Sequence, residues 1–128
     1  MTLFLGIGLE VTFVEDDDGH RYATGERDRT DLRWRRANER DSPAEPASIV
    51  AVGPSQGVVR RTVIHPAPKR SALWGTVRVD DALVLYRDNS PIGTAKVAWL
   101  YDLDQGIRQE DLRAMVTWSA VAGSQPSR

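Results

Sequence analysis

A chain of 128 residues has the length of one ordinary domain, enough to close a single modest core. Seventeen basic residues against eighteen acidic ones leave a net charge of −1, which excludes an overall field for holding nucleic acid or an anionic membrane. The absence of cysteine excludes disulfides, thiolate metal sites and thiol nucleophiles.

The apolar start of the chain is interrupted by Glu10 and lacks a basic leader. It is too short to span a membrane, so neither a signal peptide nor membrane binding is expected and the cytoplasm is the default compartment. Leu3, Leu5, Ile7, Leu9, Val11 and Phe13 alternate with Gly6, Gly8, Glu10 and Thr12. That period of two predicts a half-buried strand over residues 3–14, and its two outward glycines predict a close backbone approach or a bulge. Residues 15–19, ending in Asp18-Gly19, read as a hairpin turn, and residues 20–24 as a short return strand. A polar stretch follows, then a short strand around Leu32 and Trp34.

Residues 35–46 are charged and contain Pro43 and Pro46, which predicts a loop. Strands are predicted over residues 47–52 and 58–65, separated by a turn at residues 53–57. The Pro-rich residues 66–70 read as an edge or a crossing loop. Residues 77–87 are strand material, in one piece or in two broken at Asp80-Asp81. A turn at residues 88–91 leads into a last strand over residues 92–101. A short helix is predicted over residues 109–115 and a frayed end over residues 123–128. Six to eight short strands with closely spaced turns are the pattern of an all-β barrel or sandwich.

Catalytic motifs are not legible. There is no nucleophile elbow, P-loop or dinucleotide fingerprint, and Ser48 and Ser71 have no legible base. His20 and His65 lie on separate segments, and the Asp16-Asp17-Asp18-Gly19 run lacks the ligand spacing of a calcium loop. No cofactor or metal is expected. An enzyme would have to assemble its site from scattered Asp, His and Arg.

Arginine outnumbers lysine fifteen to two, which fits either codon usage in a GC-rich genome or a demand for guanidinium forks. The one local basic concentration is Arg27, Arg29, Arg33, Trp34, Arg35 and Arg36, with Arg40 beyond it. Arginines interleaved with an aromatic can hold phosphates and stack on bases. Glu26, Asp28, Asp31, Glu39 and Asp41 alternate with them, so an exposed, self-neutralising loop is the competing description. Trp74, Trp99 and Trp118 read as core residues.

From Leu73 the chain runs LWGTVRVDDALVLYRDNSPIGTAKVAWLYDL. Val79-Asp80-Asp81 before an apolar strand, then Pro91-Ile92-Gly93-Thr94-Ala95-Lys96-Val97, resembles the closing strands of the C-terminal β-barrel of elongation factor Tu and of small stand-alone proteins built like it. Asp18-Gly19-His20-Arg21, then Gly25-Glu26-Arg27-Asp28 before Leu32-Arg33-Trp34, is similar to the front of that barrel. Glu26 and Asp28 stand where the family has tyrosine and proline.

The resemblance, over roughly residues 2–103, implies a small closed antiparallel β-barrel of six to seven strands with a short C-terminal helix or tail. Residues 1–103 would form the barrel, and residues 104–128 an extension that is partly helical or frayed. It further implies a non-catalytic bacterial protein-binding module whose partner is a toxin or a translation component. In a sharper form, it would be an immunity or antitoxin protein that neutralises a toxin. The alternative is an RNA- or tRNA-binding accessory protein of translation using residues 33–36. The candidate binding residues under either function are Arg27, Arg29, Arg33, Trp34, Arg35 and Arg36.

Overall fold

The computed structural model describes residues 4–66, 72–102 and 109–120. Six antiparallel strands close into a barrel in the order β1-β4-β3-β2-β5-β6. They are β1 (Phe4–Phe13), β2 (Leu32–Arg36), β3 (Glu45–Gln56), β4 (Val59–Pro66), β5 (Ala82–Arg87) and β6 (Ser90–Asp102). Among the described residues three helices accompany them: α1 (Asp16–Thr24), α2 (Ala72–Thr76) and α3 (Gln109–Ala120). The expected closed antiparallel barrel with a C-terminal helix is therefore the fold, with six strands.

The inward residues of β1 behave as their alternation predicts: Ile7, Leu9, Val11 and Phe13 are buried in the barrel. They meet Leu32, Trp34, Ile49, Ile64, Leu83, Leu85 and Val97 from the other strands. Side chains fill the interior, as expected for so few strands. Closure is completed by β1 pairing with β4 on one side and β6 on the other, for example Gly8 opposite Val63 and Val11 opposite Ala95. The β3–β4 and β5–β6 hairpins are both closed by two residues, and in the second the turn residues Asp88 and Asn89 both have positive φ (50° and 67°). Asx residues tolerate that geometry, and it suits the twist of a two-residue hairpin.

Residues 15–24 differ from the expected turn and return strand: residues 16–24 form α1, with the extended Glu15 as its N-cap. The acidic run that resembles a hairpin tip is the first helical turn, where Asp16, Asp17 and Asp18 meet the positive end of the helix dipole. Gly25 ends the helix in the left-handed region at φ 82°. Asp18 and Tyr22, four residues apart, share the buried face. Gly19 lies between them because a Cβ there would come within 2.7 Å of both Phe13 and Arg60. This helix packs against β1 and β3 and covers the mouth of the barrel where β4 and β5 present Arg60 and Arg87.

The opposite mouth is closed by α2, a single turn that brings Leu73 and Trp74 into the core. The Trp74 indole donates to the Pro46 carbonyl at 3.0 Å. The strand expected over residues 77–87 begins only at Ala82, after a turn in which Asp80 has φ 74°. Residues 67–70, within the expected edge or crossing loop, and residues 123–128, the expected frayed end, lie outside the described residues.

Helix α3 is longer than its predicted 109–115 and lies on the outside of the barrel over β1, β3 and β4. The outward glycines make room for it. A Cβ on Gly6 would sit 2.6 Å from Met115 Sδ, and one on Gly8 would sit 2.1 Å from the Trp99 ring. Trp99 meets Trp118 edge to face at 5.3 Å, Arg61 lies 5.1 Å over the Trp118 ring, and the Tyr101 hydroxyl donates to Asp111 at 2.7 Å. With the core on one side and α3 and α1 on the other, Arg60 through Ile64 are buried on both faces of β4.

Candidate binding cleft over β2 and β5

Strand β2 pairs with β5 along its whole length and with β3 at only two positions. In the β2–β5 ladder Arg33 lies opposite Tyr86, and Arg35 opposite Val84. Because alternate residues share a face, Leu32 and Trp34 enter the core while Arg33 and Arg35 project outward beside Tyr86. The chain entering β2 and the Asp88-Asn89 turn wall one end. The result is a cleft of about 620 Å³ lined by Thr30, Asp31, Arg33, Arg35, Ala44, Tyr86, Asp88 and Asn89. That volume lies within the usual range of binding pockets, roughly 300–1,000 Å³.

The two arginines are held differently. The Arg35 guanidinium sits 5.0 Å from the Tyr86 ring centroid, donates to the Tyr86 hydroxyl, and donates to the Arg40 carbonyl at 3.0 Å. Its charge has no carboxylate partner among the described residues. Arg33 is exposed and makes no ion pair or side-chain hydrogen bond among the described residues. One arginine is thus pre-oriented and the other is free to close on a ligand.

The acidic end of the cleft is tied to the barrel mouth. Asp31 accepts hydrogen bonds from the buried Tyr22 hydroxyl at 3.0 and 3.3 Å. Arg87 donates to Asp18 at 2.9 Å, and Arg27 approaches the same carboxylate at 3.6 Å. Burial is the largest cause of the shift at Tyr22 and pushes its phenol up to about 12; Arg87 opposes this and Asp31 adds to it. A folded-state pKa above the ordinary 10.0 stabilises the fold fully below pH 10, and that contribution is lost as pH rises towards 12. The chain has only two lysines to titrate in the same window. Wild-type urea midpoints are therefore expected to fall between pH 10 and 12, with a shallower fall in Tyr22→Phe; parallel curves would contradict the assignment.

The six residues singled out from sequence are dispersed. Arg33 and Arg35 line the cleft. Trp34, between them, is fully buried. Arg36 turns to Asp81 at 3.2 Å, and also reaches Glu39 and the Thr76 hydroxyl. Arg29 joins α1 to β3 by donating to the carbonyls of Ala23 and Val50, both at 3.2 Å. Arg27 is engaged with Asp18. Tyr86, Asp88 and Asn89 were absent from the sequence-based set, because only the β2–β5 register brings them beside Arg33.

His20 lies on α1 and His65 on β4, and no group of three or more potential metal ligands forms among the described residues. No described helix is long and apolar enough to cross a membrane. A second cavity, of about 300 Å³, lies along the α3 seam and is lined mainly by Trp99, Leu100, Met115 and Trp118. Comparison of the chain with family models, with curated proteins and with solved structures finds no match.

Proposed function

We propose that this protein is a non-catalytic binding module that docks another protein through the β2–β5 cleft. One observation carries the proposal: Arg33 stands exposed and without an ion pair among the described residues, next to an Arg35 already clamped on Tyr86, in a cleft of about 620 Å³. A guanidinium offers a planar fork of donors that matches carboxylates, and pre-orientation lowers the entropic cost of binding. A filled, rigid barrel suits a scaffold that presents such a surface. In its sharper form the partner is a toxin, and the protein neutralises it by occupying its surface. The resemblance to the C-terminal barrel of elongation factor Tu favours a partner that also meets the translation machinery, and a cytoplasmic setting.

RNA binding, the alternative function, would rest on Arg33 and Arg35 alone. Trp34 is buried in the core and Arg35 already lies over Tyr86, so neither aromatic offers a free face to a base.

Affinity capture from the host lysate tests the proposal, with and without RNase, using wild type and the Arg33→Glu/Arg35→Glu double variant. A protein retained by wild type after RNase and lost by the double variant is the expected outcome. Recovery abolished by RNase would favour RNA, and recovery unchanged in the double variant would place docking elsewhere.

A further inference from the structure

The cleft is not uniformly basic. Leu32 pairs with Arg87, which sets Asp31 beside Asp88 at one end of the β2–β5 ladder. Arg33 and Arg35 continue along the same outer face. Both aspartates are exposed, and Asp88 has no ion pair among the described residues. Residues 31, 33 and 35 of the outer face thus read acidic, basic, basic, at intervals of roughly 7 Å, twice the rise of an extended strand.

We propose that the cleft selects an extended peptide segment of the partner with the complementary order: one basic side chain and two acidic ones, at alternate positions. This rests on the cleft being the docking site. An extended segment has the same two-residue period as β2, so its alternate side chains fall opposite Asp31, Arg33 and Arg35 together. The basic side chain lies between Asp31 and Asp88. The first carboxylate takes the Arg33 fork. The second meets the Arg35 Nη hydrogens not used by the Arg40 carbonyl and the Tyr86 hydroxyl, because the Nε hydrogen is buried. Charge complementarity sets the specificity, because a uniform polyanion such as RNA would bring phosphates against Asp31 and Asp88.

The test is fluorescence anisotropy with dye-labelled, end-blocked peptides. One contains Lys-Thr-Glu-Thr-Glu and a second contains the reverse order, since the segment can run either way along β2. A third, Lys-Glu-Glu-Thr-Thr, has the same composition and charge without the spacing. A labelled oligouridylate is the nucleic-acid arm. One of the two alternating peptides is expected to bind about tenfold or more tightly than the third, and more tightly than the oligouridylate. Arg33→Gln should remove about tenfold or more of that affinity, whereas Lys96→Gln, an equal charge change on β6, should leave it unchanged. Asp88→Asn should weaken the alternating peptide but not its Lys-to-Thr analogue.

Equal binding of the unspaced peptide, tighter binding of the oligouridylate, insensitivity to Arg33→Gln, or no peptide binding at millimolar concentration would each overturn the inference. If the peptides fail while the Arg33→Glu/Arg35→Glu variant still loses its captured protein, the docking site stands and only the charge pattern is wrong. If capture is indifferent to that variant, the docking site itself is wrong.

Discussion

Trp34→Ala is expected to destabilise the barrel by about 3–5 kcal/mol, the usual cost of emptying a large buried aromatic site. Trp34 is fully buried and lies among the core side chains of the other strands. Its position on β2 between Arg33 and Arg35 makes it the internal support of the cleft floor. Against a total stability of roughly 5–15 kcal/mol for a small domain, this loss is large enough to populate the unfolded state. Urea denaturation would show it as a lower midpoint. Trp34→Phe is expected to cost less, because the indole N–H is buried without a partner among the described residues and its removal relieves an unsatisfied donor. A Trp34→Ala protein of unchanged stability would mean that the ring lies at the surface, as a base-stacking role would require.

Gly53→Ala is expected to dislodge α3. An ideal Cβ at Gly53 falls 1.7 Å from the Ser119 carbonyl oxygen and 2.7 Å from its carbon. These are backbone atoms and cannot swing aside, so either the helix or β3 must shift by more than an ångström. Overpacking of this kind typically costs about 1–3 kcal/mol. Displacement of α3 would open the contacts of Trp118 with Trp99 and Arg61, so the tryptophan emission should move to the red as the melting temperature falls. Gly57→Ala is the control. Its Cβ would meet nothing within 4 Å, and only the positive φ of 72° opposes it, a strain of about 1–2 kcal/mol with no change in emission. Equal emission spectra for Gly53→Ala and wild type would contradict the docking of α3 on β3.

Much of the barrel was legible because its strands keep a period of two and its turns use recognisable residues. Ile7, Leu9, Val11 and Phe13 identified the inner face of β1, and Gly6 and Gly8 identified the place where something presses on the outer one. The Asp88-Asn89-Ser90-Pro91 run marked a turn, which the structure confines to Asp88 and Asn89. Helix α1 was not legible, because three aspartates and a glycine suit a hairpin tip as well as a first helical turn. Only the packing of Gly19 on Phe13 and Arg60, and the engagement of Asp18 with Arg87, favour the helix. The same limit applied to the cleft. Its arginines were visible as a cluster, but sequence spacing alone did not separate Arg33 and Arg35, which face outward, from Arg29 and Arg36, which are held by Val50 and Asp81. Tyr86 is 53 residues beyond Arg33 and joins it only through the β2–β5 register.

Site-specific photo-crosslinking in the host tests the docking face most directly, with a photoreactive residue placed at position 33 and, separately, at position 96 on β6. A single protein crosslinked from position 33 and not from position 96 is the expected result. Crosslinks from position 96 alone, or RNA in place of protein at position 33, would contradict a protein-docking cleft on β2 and β5.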